Sequence, residues 1–117
     1  MESVKPGGFL FLLESGIMAK VSCRGWRVLK VCGADVYVQQ RGVGKNLLLL
    51  HGWGGKCESW APVLRDLQQD FAMTALDFPG QGGRSSDPPE PWDVSAYAEM
   101  TYQVLKELGI TRTSIAA

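Results

Sequence analysis

The chain has 117 residues, 45% hydrophobic and 21% charged, a composition that excludes intrinsic disorder and collagen-like repeats and fits one domain or a piece of one. Twelve basic residues balance twelve acidic ones with no basic stripe, so nothing supplies the phosphate-backbone attraction that a nucleic-acid binder needs. Cys23, Cys32 and Cys57 are odd in number and form no C-x-x-C pair, which speaks against a disulfide framework or a zinc site and for a reduced, cytoplasmic setting.

Residues 1–20 follow neither the helical nor the strand period. Two readings stay open for them: an upstream start misread as coding, with Met18 as the true start, or a short N-terminal arm or helix. The apolar run over residues 9–13 is too short for a signal-peptide core or a membrane span, so neither secretion nor membrane insertion is expected. The patterned domain is expected over 21–117.

Over residues 26–40, two β-rich runs flank Cys32-Gly33, and Val36 and Val38 alternate with Tyr37 and Gln39, which predicts a β-hairpin. Gly42-Val43-Gly44-Lys45 turns into Leu47-Leu48-Leu49-Leu50, an unbroken apolar run expected of a strand covered on both faces. After His51-Gly52-Trp53-Gly54-Gly55, Ser59 is placed to cap a helix whose Trp60, Val63, Leu64 and Leu67 share one face, with Pro62 confined to the first turn. Residues 71–76 read as a second buried strand ending at Asp77. Glycines and prolines are then too dense for any regular element up to Trp92, which predicts a long surface loop. Asp93 is placed to cap the clearest helix, with Tyr97, Met100, Val104, Leu105 and Leu108 along one face and Gly109 as its stop. Residues 113–117 begin another strand. The expected fold class is therefore α/β: an N-terminal hairpin, then mostly parallel strands joined by crossover helices.

Glycine-rich turns between a strand and a helix also cradle phosphates, so nucleotide binding is tested first, and the spacings fail. Gly52-Trp53-Gly54 would need a third glycine at Cys57, Gly80-Gln81-Gly82 one at Ser85, and neither Gly44-Lys45 nor Gly55-Lys56 has the surroundings of a P-loop. No cofactor is expected. A metal site is not expected either, because the single histidine, His51, has no clustered carboxylates or thiols in the sequence to complete a coordination sphere.

The string LLLLHGWGG, followed by a tryptophan-bearing helix start and then by ALDFPGQGGRSS, resembles the α/β-hydrolase family over about residues 26–117. That resemblance implies a partial α/β-hydrolase fold. It makes Trp53, the residue after His-Gly, the donor of a backbone N–H to an oxyanion hole, and makes His51, Gly52 and Gly54 the residues that shape the turn. It also implies that His51 is not the catalytic base, since the family's catalytic histidine follows the nucleophile and the acid in the chain. Asp77 is then an organiser of the next turn, accepting backbone N–H groups. The second motif departs from the family by one inserted glycine at Gly82-Gly83, which puts Arg84 where serine is usual, and Ser85 and Ser86 are read as solvated loop serines. No Gly-x-Ser-x-Gly occurs, so the chain is expected to end just before the nucleophile elbow. The complete protein is expected to hydrolyse a small-molecule ester or related acyl bond through a serine nucleophile, and this chain alone to be inactive. The His-Gly-Trp-Gly turn looks more like carboxylesterases than epoxide hydrolases. The competing reading is a non-catalytic small α/β module that binds a ligand or partner.

Overall fold

The computed structural model describes residues 3–5, 8–10 and 23–117. Two short strands, β1 (Ser3–Lys5) and β2 (Gly8–Leu10), pair antiparallel with each other, and β2 meets β3 (Cys23–Val31) at Gly8 and Cys23. The rest of the segment read as an arm or a misread start lies outside the described residues. A three-residue strand is too short to show a period, which is why the sequence carried no sign of these two.

The hairpin forms as expected, between β3 and β4 (Ala34–Gly42), in register from Cys23 with Gly42 to Val31 with Ala34. Its turn, Cys32-Gly33, has φ of +52° and +82°, the paired left-handed geometry that matches the twist of two-residue hairpins. The leucine run becomes β5 (Lys45–Leu50), which pairs parallel with β6 (Phe71–Leu76) on one side and with β7 (Ser114–Ala116) on the other. The sheet order is β1-β2-β3-β4-β6-β5-β7.

Two helices cover opposite faces of this sheet, as a pair of crossovers stepping first to one side of β5 and then to the other requires. Successive strand residues point to opposite faces. Leu48 joins Val36, Val38 and Leu76 under Met100, Val104 and Leu108 of α2 (Val94–Glu107). Its neighbour Leu49 joins Met73 and Ala75 under Leu64 of α1 (Ala61–Leu67). Both leucines are essentially inaccessible to solvent. Burying one such side chain is worth about 1.5–3 kcal/mol, so β5 anchors both layers.

The start of α2 is as read: the Asp93 side chain accepts from Ala96 N–H at 2.8 Å, and Gly109, at φ +74°, ends the last turn. The start of α1 is not. A 3-10 turn, Cys57–Trp60, precedes it, Trp60 occupies the cap position, and no side chain caps the helix, so Ser59 is not its N-cap. The physical reason is that Cys57 N–H is held by a carboxylate twenty residues away, so the first turn has its cap position at Lys56, three residues before Ser59.

The segment from 77 to 92 is irregular, as expected, but it is not a loose surface loop. Asp77 and Pro79 are fully buried. β6 pairs with β4 only from Val38 to Arg41, which leaves the end of β4 nearest the hairpin turn without a strand partner on that side. The loop supplies one: Ser85 Oγ accepts from Tyr37 N–H at 2.8 Å, Ser86 Oγ accepts from Asp35 N–H at 2.9 Å, and Ser86 N–H donates to Asp35 O at 2.9 Å. Ser85 and Ser86 are therefore edge-completing residues rather than solvated serines.

Candidate active site

In an open sheet of parallel strands, the crevice beyond the carboxyl ends lies where the chain steps to opposite sides of one strand. Here that strand is β5, flanked by β6 and β7, and the residues leaving its carboxyl end are His51-Gly52-Trp53-Gly54-Gly55.

Gly55 N–H donates to Gly52 O at 2.9 Å across Trp53 and Gly54, and Gly54 has φ +79°, which makes the segment a type II turn with glycine at its third position. The same Gly52 oxygen lies 2.7 Å from His51 Nδ1. Phe78 N–H, which can only donate, reaches His51 Nε2 at 3.0 Å, so the ring proton sits on Nδ1 and is donated to Gly52 O. Two donors thus fix the carbonyl of the Gly52–Trp53 peptide. C=O and N–H point in opposite directions across a trans peptide, so they also fix the aim of Trp53 N–H. Among the described residues none accepts from that N–H. A Cβ at Gly52 or Gly54 would meet nothing within 4 Å, and the Trp53 side chain is 82% exposed, so the turn opens to solvent.

The turn is stapled to the loop after β6 at three points. His51 Nε2 holds Phe78 N–H, Gln81 Oε1 accepts from Gly54 N–H at 2.6 Å, and Asp77 Oδ1 accepts from Cys57 N–H at 2.6 Å. The second Asp77 oxygen accepts from Arg84 N–H at 2.8 Å. This is the organising role read for Asp77, extended to a turn that sequence did not connect with it. The inserted glycine has a steric reason: a Cβ on Gly83 would lie 2.6 Å from Asp77 Cγ, so the loop wraps the carboxylate only with glycine there.

Aromatic rings wall the turn on its α2 side. Tyr97 stands edge-on to Trp53 at 6.0 Å, to Trp92 at 5.2 Å and to Phe78 at 5.4 Å, and its hydroxyl donates to Pro79 O at 2.7 Å. Tyr97 was legible only as part of the apolar face of α2. Gln81 was legible only as a spacer inside the loop motif, because its partner lies 27 residues away.

Cys57, Glu58 and Asp77 place a thiol and two carboxylates within 4.8 Å of one another, so the fold assembles a cluster that the sequence did not reveal. Its donors are already engaged. Both Asp77 oxygens hold backbone N–H groups, and Glu58 Oε2 pairs with Arg84 Nη2 at 2.6 Å. Burial, then the charge and hydrogen bond of Asp77, push the Cys57 thiol up to about 12, so it keeps its proton. His51 lies outside the cluster. Its one acceptor nitrogen is occupied, so it is not placed as a general base.

A family model described as the alpha/beta hydrolase fold matches residues 45–115. A pimeloyl-[acyl-carrier protein] methyl ester esterase of Pseudoalteromonas atlantica is 41% identical over 66 residues, which is 56% of this chain and 26% of the relative. The esterase of the same name from Edwardsiella ictaluri is 39% identical over 67 residues, 56% of this chain and 24% of the relative. This chain thus spans about a quarter of the length of the curated relatives it matches. Among solved structures, an N-acyl homoserine lactonase complexed with N-butanoyl homoserine superposes with a TM-score of 0.73 at 26% identity, covering 78% of this chain and 35% of that one. A membrane phospholipase A described as a bacterial virulence factor does so with 0.72 at 27% identity, covering 80% and 31%. With its sheet, its His-Gly-Trp turn and a family match over more than half its length, this chain belongs to the α/β-hydrolase fold family.

Proposed function

We propose that this chain is the part of a serine-type ester hydrolase that supplies the oxyanion donor, with Trp53 N–H as that donor and His51, Gly52 and Gly54 as the residues that shape its turn. The observation that carries the reading is a backbone N–H fixed in direction by two hydrogen bonds to its own peptide carbonyl, without an acceptor among the described residues, in a turn that opens to solvent at the carboxyl end of β5. Such a donor does little for a neutral ester and much for the tetrahedral oxyanion that follows attack. Removing one oxyanion donor costs about 2.7–4 kcal/mol in hydrolases where this has been done. The exposed Trp53 indole and its ring partners Tyr97 and Trp92 are suited to holding the apolar part of a small ester beside that donor.

The nucleophile is not among these residues, for they contain no Gly-x-Ser-x-Gly, and their serines at 85 and 86 are engaged by β4. In the reading we adopt, the serine, acid and catalytic histidine come from the region that the longer relatives possess and this chain does not match. Cys32 and Cys57 are both free thiols, in keeping with a reduced, cytoplasmic setting. No helix among the described residues is long and apolar enough to cross a membrane.

The test is hydrolysis of p-nitrophenyl butyrate by the 117-residue chain, by the chain extended through its natural downstream sequence, and by Trp53→Pro and Trp53→Ala in the extended form. Proline suits the second position of a type II turn, so Trp53→Pro deletes the N–H while keeping the turn. The expected result is no turnover by the short chain, a loss in kcat of about 100-fold or more for Trp53→Pro, and a much smaller kcat loss for Trp53→Ala, which keeps the N–H. Equal kcat losses for the two variants would place the chemistry elsewhere. No turnover by the extended chain would favour a non-catalytic binding module.

A further inference from the structure

The Trp53 indole is 82% exposed, and among the described residues its one ring contact is with Tyr97, which it meets edge-on at 6.0 Å. An exposed side chain that nothing holds changes rotamer freely on the nanosecond scale, so this contact decides where the indole spends its time. The indole hangs from the same Cα as the proposed oxyanion donor. An ester whose oxygen sits on Trp53 N–H therefore has the chain on its carbonyl carbon within reach of that ring. Tyr97 is itself braced. Its hydroxyl donates to Pro79 O at 2.7 Å, and Phe78 and Trp92 stand edge-on to its ring at 5.4 and 5.2 Å. Pro79 is fully buried, and Phe78 N–H is tied to His51 Nε2 at 3.0 Å, so the brace runs back to the histidine that holds the Gly52 oxygen.

From this geometry we propose that Tyr97 is a positioning residue for specificity: it holds the Trp53 indole as a fixed apolar wall, and through that wall it sets a preference for esters with a longer apolar acyl chain. The proposal rests on Trp53 N–H being the oxyanion donor. The acyl chain is the one that profits, because it stays on the carbonyl carbon through both steps of a serine-type hydrolysis, whereas the alcohol leaves after the first. An edge-on aromatic pair favours the held rotamer by a factor of about two to ten. Full burial of a methylene is worth about fourfold in binding, and a wall that covers one side of the chain about twofold per methylene. Those factors decide what each substitution removes: the indole takes the wall away, whereas the Tyr97 ring only releases it to share its time among other rotamers.

The experiment is a double-mutant cycle in the chain extended through its natural downstream sequence. It takes kcat and KM for p-nitrophenyl acetate, butyrate and hexanoate, which share a leaving group, and a thermal midpoint for each variant. The quantity compared is the ratio of kcat/KM for hexanoate to that for acetate, and the unsubstituted chain is expected to favour hexanoate. Trp53→Ala is expected to lower this ratio about tenfold and Tyr97→Ala about threefold, both chiefly through KM for hexanoate. Tyr97→Phe keeps the ring and is expected to keep most of the ratio. The decisive arm is Tyr97→Ala on the Trp53→Ala background, where no indole remains to be held and the ratio is expected to fall no further. A threefold fall on both backgrounds would show that Tyr97 acts on the chain without the indole and overturn the proposal. So would equal losses for acetate and hexanoate in Tyr97→Ala, the mark of a merely structural residue, or an unchanged ratio in either single variant. An unchanged kcat for Trp53→Pro would instead refute the oxyanion reading, and no turnover by the extended chain would overturn both. If Tyr97→Ala lowers the thermal midpoint too far for assay, Tyr97→Leu fills the space without the ring and is expected to show the same fall; the unsubstituted ratio in that variant would overturn the proposal.

Discussion

Replacing Asp77 tests the idea that one buried carboxylate joins the two halves of the site. Its oxygens accept from Cys57 N–H and Arg84 N–H at 2.6 and 2.8 Å, and the residue is 1% exposed. Alanine at 77 removes both acceptors, and water replaces them poorly at a buried position. Each orphaned donor costs about 1–3 kcal/mol, so Asp77→Ala, which orphans two, is expected to lose about 2–6 kcal/mol of stability. Asparagine keeps one carbonyl oxygen but turns an NH2 toward the second donor, and about 1–3 kcal/mol is expected for it. Against the roughly 5–15 kcal/mol that holds a domain together, the alanine loss is a large fraction. Urea unfolding followed by tryptophan fluorescence reads it directly as a fall in midpoint at constant m-value. A change below about 1 kcal/mol for Asp77→Ala would show that these hydrogen bonds are replaced at no cost, and the stapling argument would fail.

The Cys57 thiol, pushed up to about 12 by burial and then by Asp77, is expected to resist iodoacetamide at pH 8 while exposed Cys32 is alkylated; mass spectrometry of the digested protein distinguishes them, and alkylation of Cys57 in the folded state would refute the burial argument. Because the folded thiol holds its proton more tightly than an unfolded one, whose reference value is 9.0, its contribution to stability is intact below pH 9 and is lost as pH rises from 9 toward 12. Gly42→Ala and Gly52→Ala should differ sharply. Gly42 has φ +102° and a Cβ there would collide with the Phe71 carbonyl oxygen, so a loss of about 2 kcal/mol or more is expected, whereas Gly52 has open space and should change stability by less than about 1 kcal/mol. Equal losses in thermal or urea unfolding would contradict the packing described.

Much of the fold was legible because single residues or short periods carry it. The Cys32-Gly33 turn, the apolar run of β5, the Asp93 cap and the stop at Gly109 each act within a few residues of themselves, and each appears where sequence placed it. The first helix was misread at its start because the group that holds Cys57 N–H is Asp77, a contact no local pattern encodes. The same distance hid the work of Ser85 and Ser86, whose partners lie about fifty residues earlier on β4. In the site, strand, histidine and glycines announced the turn, but the contacts of Gln81 and Tyr97 exist only once β5 and β6 stand side by side.

The loop that closes off β4 has a consequence for how freely this part of the molecule can be altered. Surface loops are usually the exchangeable parts of a domain, lengthened or traded with little effect on what they connect. Residues 77–86 are not exchangeable in that sense. The same short stretch serves as the outermost strand contact for Asp35 and Tyr37 and as the brace for the Gly54 peptide. A graft that keeps the glutamine but omits the two serines would strand β4 amide groups, and one that keeps the serines but omits the second glycine would be pushed off Asp77. Transfer of this site to another scaffold therefore has to carry the hairpin with it.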